Sequence, residues 1–149
     1  MVKGPEWPYP SDTVDSGMKI GELAKRCDVK IDTIRYYERQ GLLPEPDRQA
    51  SGYRRYQLSD EARLRFVIRS KTLGFTLDEI RDLLTISDHR DDDMAELKAK
   101  AKVKLADVDA RLIELTRIRD GLRSLVEACP GEGALAQCPI LNALASDQP

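Results

Sequence analysis

The chain is short of the residues that most enzymes and secreted proteins depend on. Histidine occurs once, at His89, tryptophan once, and cysteine three times in 149 residues. A single histidine in a polar stretch, with no phosphate-binding glycine loop elsewhere, supplies no Ser/His/Asp set and argues against an enzyme. Three cysteines are an odd count, which argues against a disulfide framework, and an iron–sulfur centre wants four grouped thiolates. Aromatic residues make up only 5% of the chain, so its Leu, Ala, Lys, Arg, Asp and Glu point to helices rather than a β-sandwich. No apolar run approaches the roughly 20 residues of a membrane helix. The N-terminus lacks the apolar core of a secretion signal. These absences describe a mainly α protein of the cytoplasm, with no membrane partner, where thiols stay reduced.

What is present is unevenly distributed. The net charge is -2, yet residues 18–71 hold 13 Lys/Arg against 8 Asp/Glu, a local balance of +5. The remainder is acidic. A basic segment joined to an acidic one suggests a polyanion-binding part attached to a part with another task.

Residues 1–17 carry three Pro and two Gly without apolar periodicity and read as a disordered tail, with Trp7 and Tyr9 inside it. Ile20 to Cys27 has helical apolar spacing, Asp28-Val29-Lys30 breaks it, and Ile31 to Gln40 forms a second helix stopped by Gly41. Two short helices about a tight turn make a helix-turn-helix with Ile20, Leu23, Ala24, Val29 and Ile34 as its small core. Cys27 reads as a small buried apolar residue. Leu43 to Glu45 and Tyr53 to Tyr56 read as a two-stranded wing, with aromatics alternating with Arg. A third helix starts at Ser59 and runs through Lys71 with Leu64, Phe66, Val67 and Leu73 as its apolar stripe. Gly74 ends it, Thr76 caps a fourth helix with Asp78 and Glu79 in its first turn, and that helix runs to about Leu84.

Ser87 to Asp93 is a polar linker. From Met94 to Ala128 runs one long helix, in which Leu105, Val108, Leu112, Leu115, Leu122 and Val126 fall at alternating three- and four-residue steps, with only Arg119 interrupting. That is a heptad seam, and a narrow seam on a lone helix needs a partner, so a two-helix coiled coil across a homodimer is expected. Cys129 and Cys138 then bracket a Gly/Pro-rich loop, with eight residues between them. Two thiols on one tight loop converge on a soft cation or form a disulfide.

The order of these elements resembles the MerR family of transcriptional regulators. Met18 to Ala24 looks like the family's opening, Thr33-Ile34-Arg35-Tyr36-Tyr37-Glu38 like its recognition helix, Gly52-Tyr53-Arg54-Arg55-Tyr56 like its wing, and Leu73 to Ile80 like its next helix pair. Arg35 is placed to reach a base edge or phosphate in a major groove, and the hydroxyls of Thr33, Tyr36 and Tyr37 suit phosphate oxygens. One of the two tyrosines packs inward. Arg54, Arg55 and Tyr56 would grip the flanking backbone, while Arg63 and Lys71 are solvated or face backbone. The resemblance implies residues 18–86 as a winged helix-turn-helix domain, 87–128 as linker and antiparallel dimerisation helix, and 129–149 as an effector loop and tail. It also implies a homodimer on a palindromic operator of double-stranded promoter DNA. The effector-bound form would underwind and bend that DNA so that RNA polymerase engages both promoter elements.

Short family members ending in a cysteine loop sense metals, so the resemblance assigns Cys129 and Cys138 as metal ligands. Thiolates select soft ions. In the family a residue near the start of the long helix of the other subunit helps choose the ion, Cys with divalent and Ser with monovalent metals. Here that position is Met94. Two thiolates slightly favour Cu(I), Ag(I) or Au(I) over Hg(II), Cd(II), Zn(II) or Pb(II), although the loop length resembles that of divalent sensors. A thioether from Met94 or the imidazole of His89 would be an added ligand. A metal-independent repressor and a thiol redox sensor built on Cys129 and Cys138 are the competing readings.

Overall fold

Short-range signals set the helix boundaries in the computed structural model, which describes residues 17–46, 55–89 and 94–146. Helix α1 spans Ile20–Cys27 and ends where Asp28 takes a left-handed φ of 53°, its amide directed back at the last turn. Asn and Asp tolerate that conformation better than branched residues. Helix α2, Ile31–Arg39, ends at Gln40, and Gly41 follows with φ 72°. The two helices and the three-residue turn between them form the expected helix-turn-helix.

Helix α3 spans Leu58–Thr72, with the Asp60 carboxylate accepting from the Gln57 N–H at 2.7 Å. Gly74, φ 89°, turns the chain into α4, Leu77–Asp88. Thr76 Oγ1 accepts from the Glu79 N–H at 3.2 Å and the Glu79 carboxylate accepts from the Thr76 N–H at 2.7 Å, a reciprocal cap that satisfies two otherwise orphaned donors. Helix α4 runs one turn past the expected end at Leu84. Its final residue Asp88 is held by Arg63 at 3.2 Å, and the His89 Nδ1–H donates to the Thr85 carbonyl at 2.7 Å. His89 therefore caps a helix rather than sitting in a free linker. Residues 90–93 lie outside the described residues.

Residues up to 101 form one compact unit. Its core joins Met18, Leu23, Ala24, Cys27, Ile34, Tyr37, Leu42, Leu43, Tyr56, Leu64, Val67, Ile80 and Leu84, with Ile20, Val29 and Phe66 packed against it. Burying one such aliphatic side chain contributes about 2 kcal/mol. All five residues expected to build the helix-turn-helix core do so, and Cys27 is buried. Leu73 departs from expectation. It is the residue after α3 and stands 67% exposed, because the helix ends at Thr72 before the apolar stripe reaches it.

The wing also differs in its described part. Leu43 turns into the core and residues 44–46 form no strand, while Tyr56 pairs antiparallel with Met18 instead. The Met18 N–H donates to Tyr56 O at 2.8 Å and the Tyr56 N–H to Met18 O at 2.9 Å. Gly17 sits beside this bridge with φ 65°, and a Cβ there would lie 2.9 Å from Arg55 Cβ. Glycine is required on both counts. The tail before Gly17 and residues 47–54 lie outside the described residues.

Helix α5 covers Met94–Ala128, the span expected from its pattern. The second unit begins at Lys102 and holds the rest of α5, a single 3₁₀ turn at Leu135–Gln137 and helix α6, Pro139–Ala145. Pro139 opens α6 at a position where its missing N–H costs nothing. In the single chain Leu105, Leu112, Leu115, Leu122 and Val126 are more than half exposed.

Candidate functional site

Two groups of residues carry chemistry, one in each compact unit. The first is the outer face of α2. Arg35 and Arg39 are exposed and stand one helical turn apart, so they share a face. Neither has a hydrogen-bond or ion-pair partner among the described residues. They line an open groove of about 520 Å³ together with Ile20, Glu38 and Glu45. Free guanidinium groups beside carboxylate acceptors are suited to the donor and acceptor pattern of base edges and to phosphate oxygens. Arg39 was missed in the sequence, although its i+4 spacing from Arg35 was the signal that would have found it.

The expected contacts of this face divide by burial. Thr33 is half-buried, and Tyr36 is 42% exposed with its ring tilted against Tyr37, centroids 5.7 Å apart. Tyr37 is only 8% exposed, so it is the inward tyrosine, and burial pushes its phenol up from the usual range. Tyr56 is 1% exposed and donates its hydroxyl to the Glu38 carboxylate. The core takes both side chains, which replaces the expected backbone grip by a structural role. Arg55 is half-buried and its Nη1 donates to the Gly17 carbonyl at 2.8 Å, so its guanidinium is engaged within the protein. Gly52, Tyr53 and Arg54 lie outside the described residues. Arg63 is not solvated. Its Nε donates to the Leu42 carbonyl at 2.9 Å, and its Nη1 pairs with Asp88.

The second group lies at the C-terminal end of α5. Helix α5 stops at Ala128, Gly131 and Gly133 turn with φ 77° and 108°, and the chain returns through the 3₁₀ turn to α6. This return brings Cys129 Sγ to 4.0 Å from Cys138 Sγ, both half-buried and both free. Cys138 is the residue before α6. The backbone N–H groups of Leu141 and Ile140 point at its sulfur and hold the thiol below its ordinary range, burial opposing them and the Cys129 contact adding to them. The amide at a helix N-terminus stabilises negative charge in this way. Ile140, Leu141 and Leu144 fall on the short helix that follows, as expected.

The donor set fits a soft ion. Two thiolates about 2.3 Å from one ion stand about 3.8 Å apart in a tetrahedral site and about 4.6 Å apart in a linear one. The 4.0 Å separation lies between these. Among the described residues no cluster of three or more His, Cys, Asp or Glu exists to complete a larger site, so the chain itself brings two ligands together. Met94 is 82% exposed and His89 caps α4.

Comparison with known proteins covers both groups. Residues 18–85 match the family described as MerR HTH family regulatory protein, and residues 61–125 match that described as MerR, DNA binding. The mercuric resistance operon regulatory protein of Bacillus cereus is 41% identical over 126 residues, which is 85% of this chain and 96% of that protein. The crystal structure of the transcription regulator PbrR691 from Ralstonia metallidurans CH34 in complex with lead(II) superposes with a TM-score of 0.76 at 38% identity, covering 86% of this chain and 99% of the other. The regulator MerR from Bacillus megaterium MB1, in complex with mercury(II), gives a TM-score of 0.62 at 38% identity over 87% of this chain and all of the other.

Proposed function

The chain belongs to the MerR family of helix-turn-helix regulatory proteins, and on that premise we propose that it is a transcription regulator whose activity at a promoter is set by a soft metal ion held by Cys129 and Cys138. The observation that carries this reading is the 4.0 Å approach of two free thiols at the end of the long helix, and backbone amides lower one of them, Cys138, toward its thiolate. Residues 18–86 are assigned to DNA, 87–128 to linker and dimerisation, and 129–149 to the effector. Arg35, Arg39, Thr33 and Tyr36 form the DNA-facing set on α2, with Gly52, Tyr53 and Arg54 as its wing counterpart.

A homodimer supports the same reading. The seam residues Leu105, Leu112, Leu115, Leu122 and Val126 are each 58–66% exposed or close to it in the single chain. A second copy covering that seam removes their apolar surface from water. A two-fold dimer then presents two α2 helices to a palindromic operator. With promoter DNA and RNA polymerase as partners, the protein works in the cytoplasm, and no described helix is long and apolar enough to cross a membrane.

Cys129 and Cys138 would hold the ion, which would supply a soft Lewis-acid centre for their thiolates. The chain does the rest. Leu141 and Ile140 amides stabilise the Cys138 thiolate, the glycines let the loop fold back, and α5 joins the loop to the DNA-binding half through a continuous helix. The relatives seen with lead(II) and mercury(II) favour a soft divalent ion here. Monovalent copper, silver or gold is the second reading, because the described residues bring only two thiols together.

The test is an anaerobic titration of the reduced protein with buffered Hg(II), Pb(II), Zn(II) and Cu(I), followed by thiolate-to-metal absorbance and by transcription from the target promoter. Tight binding that changes transcription is expected. Transcription equal with and without every ion refutes metal control and leaves a constitutive or redox regulator.

A further inference from the structure

Two arginines outside α2 hold its C-terminal end by the backbone. Arg81, on α4, donates from Nη2 to the Gln40 carbonyl at 2.7 Å and from Nε to the same oxygen at 3.1 Å. Its Nη2 also reaches Gln40 Oε1 at 3.2 Å, while Nη1 pairs with Asp78. Arg63, on α3, donates from Nε to the Leu42 carbonyl at 2.9 Å, and its Nη1 pairs with Asp88 at 3.2 Å. Gln40 is the cap residue of α2, and Leu42 follows the Gly41 turn.

Helix α2 has few anchors of its own besides the Tyr56 hydroxyl on Glu38. Of its nine residues only Ile34 and Tyr37 are buried. Apolar contact is non-directional, so two buried side chains fix depth better than they fix rotation. A guanidinium has five donors in a rigid planar fork and fixes direction. The Gln40 acceptor lies at the end of α2, where unsatisfied carbonyls carry partial negative charge, and Leu42 lies just beyond the Gly41 turn. The grip therefore sets how the exposed Arg35 and Arg39 are aimed.

We propose that Arg63 and Arg81 are positioning residues for operator recognition, setting the pose of α2 from α3 and α4 without touching DNA. Asp88 orients Arg63. The proposal rests on α2 being the DNA-reading helix. Helix α4 is also tied to the start of α5, through Asp82 and Lys100 at 3.4 Å.

The test uses full-length reduced protein and a duplex selected by the wild-type protein from a random-sequence pool. Affinity is measured across a salt series, with the active fraction from stoichiometric titration and folding from the thermal midpoint. Arg81→Ala should weaken binding about tenfold, the scale of a lost hydrogen bond to a charged donor. Its slope of log affinity against log salt should match wild type, with the full active fraction. Arg81→Lys should stay weakened, because it keeps the charge at the helix end but loses the fork. Unchanged affinity in Arg81→Ala, full rescue by Arg81→Lys, or a slope smaller by about one, the mark of a lost phosphate contact, would each overturn the proposal. If Arg81→Ala does not fold, Asp88→Asn carries the test, since it leaves both guanidinium groups in place. It should weaken binding about threefold at an unchanged slope, and wild-type affinity in it would refute the role. A wild-type protein that selects no duplex would instead refute α2 as the DNA-reading helix.

Discussion

The Tyr56 hydroxyl donates to the Glu38 carboxylate, joining the residue that pairs with Met18 to the last turn of α2. Tyr56 is almost wholly buried, and Glu38 sits among the residues that line the α2 groove. This contact therefore links core stability to the face proposed to read DNA. Tyr56→Phe removes the donor and keeps the ring. It should cost about 1–2 kcal/mol, read as a lower urea midpoint with an unchanged m value.

Arg35 and Arg39 should differ in their salt signature from Arg63 and Arg81, whose guanidinium groups are engaged within the protein. Arg35→Ala should weaken operator binding by about 1–3 kcal/mol. Arg39→Ala should do the same, or weaken binding to all sequences alike if it reaches phosphate. In the second case the salt slope falls by about one. Equal binding by wild type and the double variant would remove α2 from the interface.

Cys129→Ser and Cys138→Ser should each abolish the transcriptional response to metal. Operator binding should stay within about twofold of wild type, since the cysteines and α2 belong to separate compact units. Loss of operator binding in either variant would contradict the division between the two compact units.

Cys138 should label before Cys27 as pH rises. Alkylation needs the thiolate. Helix amides hold Cys138 below the ordinary thiol range, whereas burial pushes Cys27 up. Cys138 should react at the lower pH, and Cys27 should stay protonated and inert to the higher. Mass spectrometry after pulses of iodoacetamide at stepped pH reads the order directly. Early labelling of Cys27 would mean that the core opens there.

Leu112→Glu places a charge in the middle of the exposed seam, 56% exposed in the single chain. In a symmetric coiled coil that charge is buried and must be neutralised or expelled. Sedimentation should show a shift from dimer to monomer, with helix content falling because a long lone helix loses its packing. A variant that sediments like wild type would place the dimer contact elsewhere.

The sequence by itself determined every feature whose signal lies within a turn or two of chain. Asp28, Gly41 and Gly74 end helices, Thr76 with Glu79 starts one, and the heptad steps place α5 at the residues where it is found. The glycine-bearing loop that brings Cys129 and Cys138 to 4.0 Å is likewise local in the chain. Tertiary structure alone decided which of several similar residues face inward and which arginines are free. Tyr36 and Tyr37 are neighbours of the same type, yet only Tyr37 meets the core. Tyr56 was read as an outward wing residue because its alternation was judged against residues 43–45, whereas its partner is Met18, 38 positions away. Arg63 and Arg81 find their carbonyl acceptors 21 and 41 positions away. Burial and backbone acceptors come from distant segments, so no local pattern reveals them, while capping and periodicity act between neighbours and are written directly in the chain.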